Sequence, residues 1–234
     1  MYSGHNVLAV VPARGGSTGI PLKNLRTVGG VPLVGMAGNV VRALAWIDRA
    51  IVSTDHTGIA KAAEEYGLSA PFRRPENLSG PTIGDWDVLD HSLRTMEAKE
   101  GVRYDIVLML QPTSPSRQPA DVERAVAMLL DGGFDAVWSV SETDSKGHPL
   151  KQFTVAADNV LEYYDPAGSE IVARQQLTPV YHRDGIVYAF TRACLLEQKT
   201  IKGKRLGALI TERPVANVDT ELDLAWAEFL SSRT

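Results

Sequence analysis

The chain has 234 residues, of which 44% are hydrophobic and 22% charged, with a formal net charge of −4. Those values fit a globular protein with room for a sizeable core, and the mild acidity argues against the basic surface that nucleic-acid binding normally needs. A single cysteine, Cys194, excludes an intramolecular disulfide, and no apolar run reaches membrane-spanning length and no signal segment is evident, so a cytoplasmic protein with no nucleic acid or membrane partner is expected.

The chain is organised around 7–25. Val7–Val11 is an apolar run that reads as a strand buried on both faces, and Pro12 ends it because proline cannot donate to a ladder. Arg14, the glycines Gly15, Gly16 and Gly19, Ser17 and Lys23 follow. Glycines let backbone N–H groups approach an anion, and two cations supply the countercharge, so this loop reads as a phosphate cradle. It is neither a P-loop, because Ile20-Pro21 follows Gly19, nor a dinucleotide fingerprint, because the glycine spacing is wrong.

Helical spacing then covers 33–46, a short strand 50–53, and a helix 57–66 closed by Gly67. A loop with two cations, Arg73 and Arg74, leads into an amphipathic helix over 85–99. Asp105–Leu110 is the strongest strand and is expected to be central. Its end carries Gln111-Pro112-Thr113-Ser114-Pro115, and a helix over 119–130 and a strand over 136–141 come next. From about 142 to 181 helical signal gives way to turns and short alternating runs, which read as a β-rich arm inserted in a single unit spanning 1–234. Strand 184–190, helix 191–198, strand 214–218 and a closing helix 220–231 with Thr220 as N-cap complete the reading. The alternation of strand and helix predicts an α/β fold with a mostly parallel sheet flanked by helices.

In open α/β sheets, ligands lie beyond the carboxyl ends of the strands. The predicted strand ends here bring Arg14, Asp55, Gln111, Thr113, Ser114, Asn217 and Asp219 to one rim. Asn217 and Asp219, two apart at a strand end, can point to one face, and Asp219 is the candidate magnesium ligand or, on local sequence alone, equally a cap of the last helix.

The string A-R-G-G-S-T-G-I-P-L-K-N-L from Ala13 resembles the CMP-sialic acid synthetase (acylneuraminate cytidylyltransferase) signature A-R-x-x-S-K-G-[IL]-P-x-K-N-[IL]. V-S-T-D at Val52, R-P-E-N-L at Arg74, L-Q-P-T-S-P at Leu110, H-P-L-K at His148, A-R-Q-Q-L at Ala173, R-D-G-I-V-Y at Arg183 and V-D-T-E-L-D-L at Val218 are similar to further family motifs and stand in the family's order. The resemblance implies a Rossmann-like nucleotide-diphospho-sugar transferase fold and a homodimer formed through the arm. It implies Arg14 and Lys23 as the catalytic cations on the triphosphate of CTP, and a nucleotide contact at Ala13, Gly15, Gly16, Ser17, Asn24, Arg74 and Asp85. Acceptor contacts fall on Gln111, Lys151, Arg174 and Tyr188, and a Mg²⁺ site on Asp219 with Asn217. Three departures bear on this: Thr18 stands where the family has a phosphate-side lysine, Asn217 where it has an aspartate, and Lys199-Thr200-Ile201 where sialic acid enzymes commonly carry an aromatic pair walling the sugar pocket. The first and last of these speak for an acceptor other than a bulky nine-carbon sugar.

The expected reaction is transfer of CMP from CTP to an acidic acceptor such as a sialic-type nonulosonic acid, with pyrophosphate leaving. Phosphoryl-type transfer asks a protein mainly for positioning and charge neutralisation. A sugar hydroxyl also needs a proton acceptor, and the sequence shows no obvious base at the rim, so a small phosphonic acid such as phosphonoformate, whose oxygen is already anionic, is an alternative acceptor. A 3-deoxy-octulosonate enzyme is another. A non-catalytic CTP-binding relative is a third reading, favoured by Thr18 and Asn217 and opposed by the retained Arg14, Lys23, Gln111 and Asp219.

Overall fold

The first apolar run becomes β1 (Val7–Pro12), enclosed on both faces. In the computed structural model, which describes residues 1–233, a two-residue pair β2 (Thr27–Val28) and β3 (Val31–Pro32) leads into α1 (Leu33–Arg42), β4 (Arg49–Ser53), α2 (Thr57–Glu65) and α3 (Asp85–Glu100). Next come β5 (Ile106–Met109), α4 (Pro119–Asp131), β6 (Ala136–Glu142), the hairpin β7 (Phe153–Val155) with β8 (Leu161–Tyr163), β9 (Tyr181–Thr191), α5 (Arg192–Leu196), β10 (Leu206–Ile210) and α6 (Glu221–Ser231). The main sheet has six strands in the order β10-β6-β9-β5-β1-β4. β1 pairs in parallel with β4 and β5, and β10 with β6, while β9 runs antiparallel to both of its neighbours.

Alternate residues of β1 serve two cores. Val7, Ala9 and Val11 pack with α1, α2 and α4 through Val34, Ala37, Ile59, Val122 and Val126. Leu8 and Val10 pack on the other face with α3 and α5 through Leu89, Leu93, Met96 and Leu195. Cys194 is fully buried in this second core, and burial pushes its thiol up to about 12, far from a nucleophile's range. A third, smaller core joins Ile20 to Val28, Leu33, Ala216, Val218, Leu224 and Ala227, and so fastens the loop after β1 to the last helix.

Three sequence expectations are corrected. The first helix stops at Arg42 instead of reaching residue 46, because the N–H groups of Leu44 and Ile47 fold back into turns and Trp46 meets the Tyr2 ring edge-on at 4.9 Å. The helix expected over 191–198 is only Arg192–Leu196, capped by Thr191, whose hydroxyl accepts from the Cys194 N–H at 3.1 Å. Residues 214–218 form no strand. They run extended against the 113–116 loop, with the Val218 N–H donating to the Thr113 carbonyl (2.7 Å) and the Ala216 N–H to the Ser116 hydroxyl (3.0 Å). The sixth strand is β10, which the sequence reading missed.

Thr220 does cap α6, in a reciprocal capping box with Asp223. Between β6 and β9 the chain leaves the sheet where Glu142 faces Tyr181 and makes short helical turns around the small hairpin. β7 and β8 are exposed along their whole length.

The β6–β9 pairing is irregular. Trp138 faces Tyr188 and Val140 faces Arg183, so five steps along β9 match two along β6. Gly185 takes a φ of +77° inside this bulge, which only glycine adopts readily. The buried Asp184 carboxylate knits it together, accepting from the Ser139 and Ser141 hydroxyls and from the Ile186 N–H.

Candidate active site

The parallel strands β1, β4 and β5 end together, and a cavity of about 610 Å³ opens beyond them. β1 delivers the loop that forms one wall. The Ala13 N–H is spent on the Ser53 carbonyl (2.9 Å) and the Gly15 N–H on the Asp55 carboxylate (2.8 Å). Neither residue lines the cavity, nor does Gly16; their place is behind it, tying the loop to the end of β4. The cradle facing the cavity is built instead from Arg14, Ser17, Thr18, Gly19, Lys23 and Asn24. Burial of Ile20 in the third core fixes the loop's far side, and the buried Asn24 amide returns to donate to the Arg14 carbonyl at 3.0 Å.

Lys23 Nζ meets Asp219 Oδ1 at 2.7 Å, so the loop and the segment before α6 are held together electrostatically as well. They are also in steric contact: a Cβ on Gly19 would lie 2.4 Å from the Asp219 carbonyl oxygen. Asn217 and Asp219 both line the cavity, as expected, although an irregular segment and not a strand end presents them.

Arg74 is the most unusual group. It is 5% exposed and lines the cavity, yet its Nε and Nη2 have no hydrogen-bond partner among the described residues. Burial lowers its pKa; the Asp55 carboxylate works against that shift, and the Arg14 guanidinium adds to it. A buried, unpartnered guanidinium is costly, and it is relieved by a ligand carrying oxygen acceptors.

The opposite elements supply Asp85 from the first turn of α3, Gln111 from the end of β5, and Tyr188 from β9. Burial pushes the Tyr188 hydroxyl up to about 12, so it is a neutral hydroxyl at physiological pH, and it accepts from the Gly185 N–H at 3.1 Å. Ser114 turns away from the cavity and donates to the Asp184 carbonyl at 3.0 Å.

Gln111 owes its position to a residue that sequence reasoning overlooked. Arg117 is buried and donates to the carbonyls of Gln111, Gly185 and Ile186, clamping the end of β5 to β9. Burial pushes its pKa down to about 10, which leaves it charged at neutral pH. The available signal was a lone cation in the run Pro112–Arg117, just before a helix. Arg183 is the second omission: it lines the cavity beside Tyr188. Lys151 and Arg174 lie on exposed turns of the arm, and neither lines the cavity.

Comparison with known proteins agrees with this geometry. A family model described as cytidylyltransferase matches residues 8–228. A CMP-N,N'-diacetyllegionaminic acid synthase of Legionella pneumophila is 31% identical over 94% of this chain and 93% of its own length. A pseudaminic acid cytidylyltransferase of Campylobacter jejuni is 26% identical over 95% of each chain. An N-acylneuraminate cytidylyltransferase of Oncorhynchus mykiss is 29% identical over 94% of this chain, which spans only 49% of that longer protein. Among solved structures, CMP:2-keto-3-deoxy-manno-octonic acid synthetase complexed with CTP superposes with a TM-score of 0.69 at 20% identity, covering 97% of this chain and 99% of that one. Its likeness is one of fold, that of the Rossmann-like nucleotide-diphospho-sugar transferases. A cavity lined by four cations and walled by a Gly-rich loop is what such a fold needs to receive a nucleoside triphosphate, and with the family match over nearly the whole length, the chain belongs to the cytidylyltransferases, CTP-dependent nucleotidyltransferase enzymes.

Proposed function

We propose that the protein transfers CMP from CTP to a nonulosonic acid, a nine-carbon 2-keto sugar acid, and releases pyrophosphate. The observation that carries this reading is the buried guanidinium of Arg74 facing the cavity with Nε and Nη2 unpartnered, beside the cations Arg14 and Lys23. The full-length relatives named for legionaminic and pseudaminic acids support the choice of acceptor.

An acceptor hydroxyl attacks the α-phosphorus of CTP, the bond from that phosphorus to the β-phosphate bridge breaks, and pyrophosphate departs. Arg14 and Lys23 neutralise the triphosphate, Asn24 and Arg74 hold the nucleotide, and Gln111 and Tyr188 face the acceptor. The proton released by the hydroxyl has Asp85 within the cavity as acceptor, a base that the sequence reading did not recognise.

One carboxylate and one amide oxygen on the same wall, Asp219 and Asn217, fit Mg²⁺, which keeps several waters and takes its remaining ligands from substrate phosphates. When bound, the ion neutralises phosphate charge that Thr18 leaves uncovered.

The arm carries exposed Phe153, Val155, Leu161, Tyr163 and Tyr164. An apolar face of this kind on a hairpin is suited to a second copy of the chain, giving a homodimer in which Lys151 and Arg174 approach the neighbour's acceptor. The protein acts in the cytoplasm, where CTP is made.

Pyrophosphate release from CTP and Mg²⁺ with a panel of acids tests the reading. Release is expected with nine-carbon 2-keto sugar acids. Turnover confined to phosphonoformate or to 3-deoxy-octulosonate would replace the acceptor, and CTP binding by calorimetry with no turnover on any acid would replace the enzyme by a binder.

A further inference from the structure

We infer that Arg183 binds the carboxylate of the acceptor, so that each subunit's own β9 takes part in the choice of an acidic acceptor. The inference rests on the function proposed above and names how that site selects an acid.

Four cations line the cavity: Arg14, Lys23, Arg74 and Arg183. The first two belong to the loop after β1, and Arg74 is electrostatically coupled to Arg14 and Asp55. Arg183 belongs to the other wall, on the strand that carries Tyr188 and Gly185, and a Cβ on Gly185 would lie 2.8 Å from Gln111 Oε1.

The bulge explains how Arg183 gets there. Residues separated by an odd number of steps in a regular strand point to opposite faces. Arg183 and Tyr188 are so separated, yet they pair with Val140 and Trp138, which share a face, so the bulge at Asp184–Val187 brings both onto the cavity side. The contacts agree: the Arg183 guanidinium sits 5.1 Å from the Trp138 ring centroid and 5.5 Å from that of Tyr188. Trp138 is itself anchored, its indole N–H donating to the Ile201 carbonyl at 2.9 Å.

Two aromatic rings within cation–π reach confine the guanidinium and, having no in-plane acceptor to offer it, leave its N–H groups for a planar, bidentate partner. The edge of Arg183 has one charged neighbour, Asp85 Oδ2 at 3.6 Å, which is too long for a hydrogen bond and holds the group in place without saturating it. The side chain remains 44% exposed, so a ligand can reach it. A carboxylate is the planar anion that such a fork fits. Lys151 and Arg174, the other cations expected to meet the acceptor, stand outside the cavity.

The test compares the parent protein with Arg183→Ala and Arg183→Lys, using a nine-carbon 2-keto sugar acid and its methyl ester. The parent is expected to use the acid at least tenfold better than the ester, in kcat/KM. In Arg183→Ala the KM for the acid should rise on the order of tenfold to a hundredfold, the KM for CTP should stay within twofold, and the preference for acid over ester should vanish. Arg183→Lys, which keeps the charge but loses the fork, should fall between them. An Arg183→Ala protein that binds CTP normally and still prefers the acid as strongly as the parent overturns the inference and leaves the proposed function standing. A general loss of CTP binding in Arg183→Ala, with Arg183→Lys keeping the parent's acceptor KM and acid preference, overturns it too. A parent that turns over no sugar acid at all removes the proposed function itself.

Discussion

The loop after β1 and the arm between β6 and β9 are both rich in turn residues and both carry cations, but the fold treats them in opposite ways. The loop is over-determined: Ile20 is buried in a core of its own, Asp55 and Asn24 hold its backbone, and Gly19 touches the Asp219 carbonyl. Its charges are therefore set before any ligand arrives, which is the preorganisation that phosphate chemistry rewards. The arm presents Phe153, Val155 and Leu161 to solvent, and its cations face no partner wall within the same chain. One region is finished by its own chain, whereas the other is left uncovered by it.

Substitutions can break that contrast. Arg14→Ala or Lys23→Ala should leave the melting temperature nearly unchanged and lower kcat/KM for CTP by about a hundredfold to a thousandfold; activity within twofold of the parent would remove the loop from the chemistry. Asp219→Ala should raise the Mg²⁺ concentration for half-maximal rate by about tenfold or more, and Asn217→Asp should move it the other way by restoring a second carboxylate. Gly19→Ala tests the steric junction: a Cβ 2.4 Å from the Asp219 oxygen forces the two walls apart, and about 1–3 kcal/mol of stability should be lost in a denaturant titration, together with much of the activity.

On the arm, Leu161→Glu should convert a dimer to a monomer in light scattering and change the KM for CTP by less than about twofold, while the acceptor KM rises severalfold. A parent that is already monomeric would leave the arm without the role assigned to it.

The effect confined to alkaline pH, and so the smallest under working conditions, belongs to β9, which joins the two regions. Burial holds the Tyr188 hydroxyl at about 12, whereas in the unfolded chain it ionises near 10. With the folded value raised, the stabilisation is complete below pH 10 and is lost as pH climbs from about 10 to 12, worth about 2–3 kcal/mol at most. Tyr188→Phe should flatten that part of the stability curve. It will not abolish the alkaline decline, because burial also raises the thiol of Cys194 and the hydroxyl of Tyr104.

Much of this was legible in the sequence. β1 and β5 announced themselves as unbroken apolar runs, and α2 and α6 by Gly67 and by Thr220 with Asp223, because burial on both faces and helix capping are local signals. β10 was not legible because its apolar residues fall on both faces: Leu206 and Ile210 are exposed, only Gly207 and Leu209 point inward, and the strand survives by pairing with β6. The false strand at 214–218 has the opposite cause. Ala216 and Val218 alternate with exposed residues because they fill the third core, and no sheet is involved.

Within the site, Arg14, Lys23, Asn24, Arg74, Gln111 and Asp219 were found by motif and strand-end position. Arg117 was not, because it acts through carbonyls of remote strands, and Arg183, though it heads a recognised motif, was given no role because it reaches the cavity only through an irregularity of pairing.

That irregularity works as a spacer of fixed length. With regular pairing carried on from Trp138–Tyr188, Val140 would face Ile186 in place of Arg183, and the guanidinium, an odd number of steps from the phenol, would turn to the far side of the sheet. The grip on an acid thus depends on how the two strands are paired as much as on which residues they carry, and a relative in which β9 met β6 without the bulge would be expected to prefer a differently charged acceptor while keeping every residue of its nucleotide pocket.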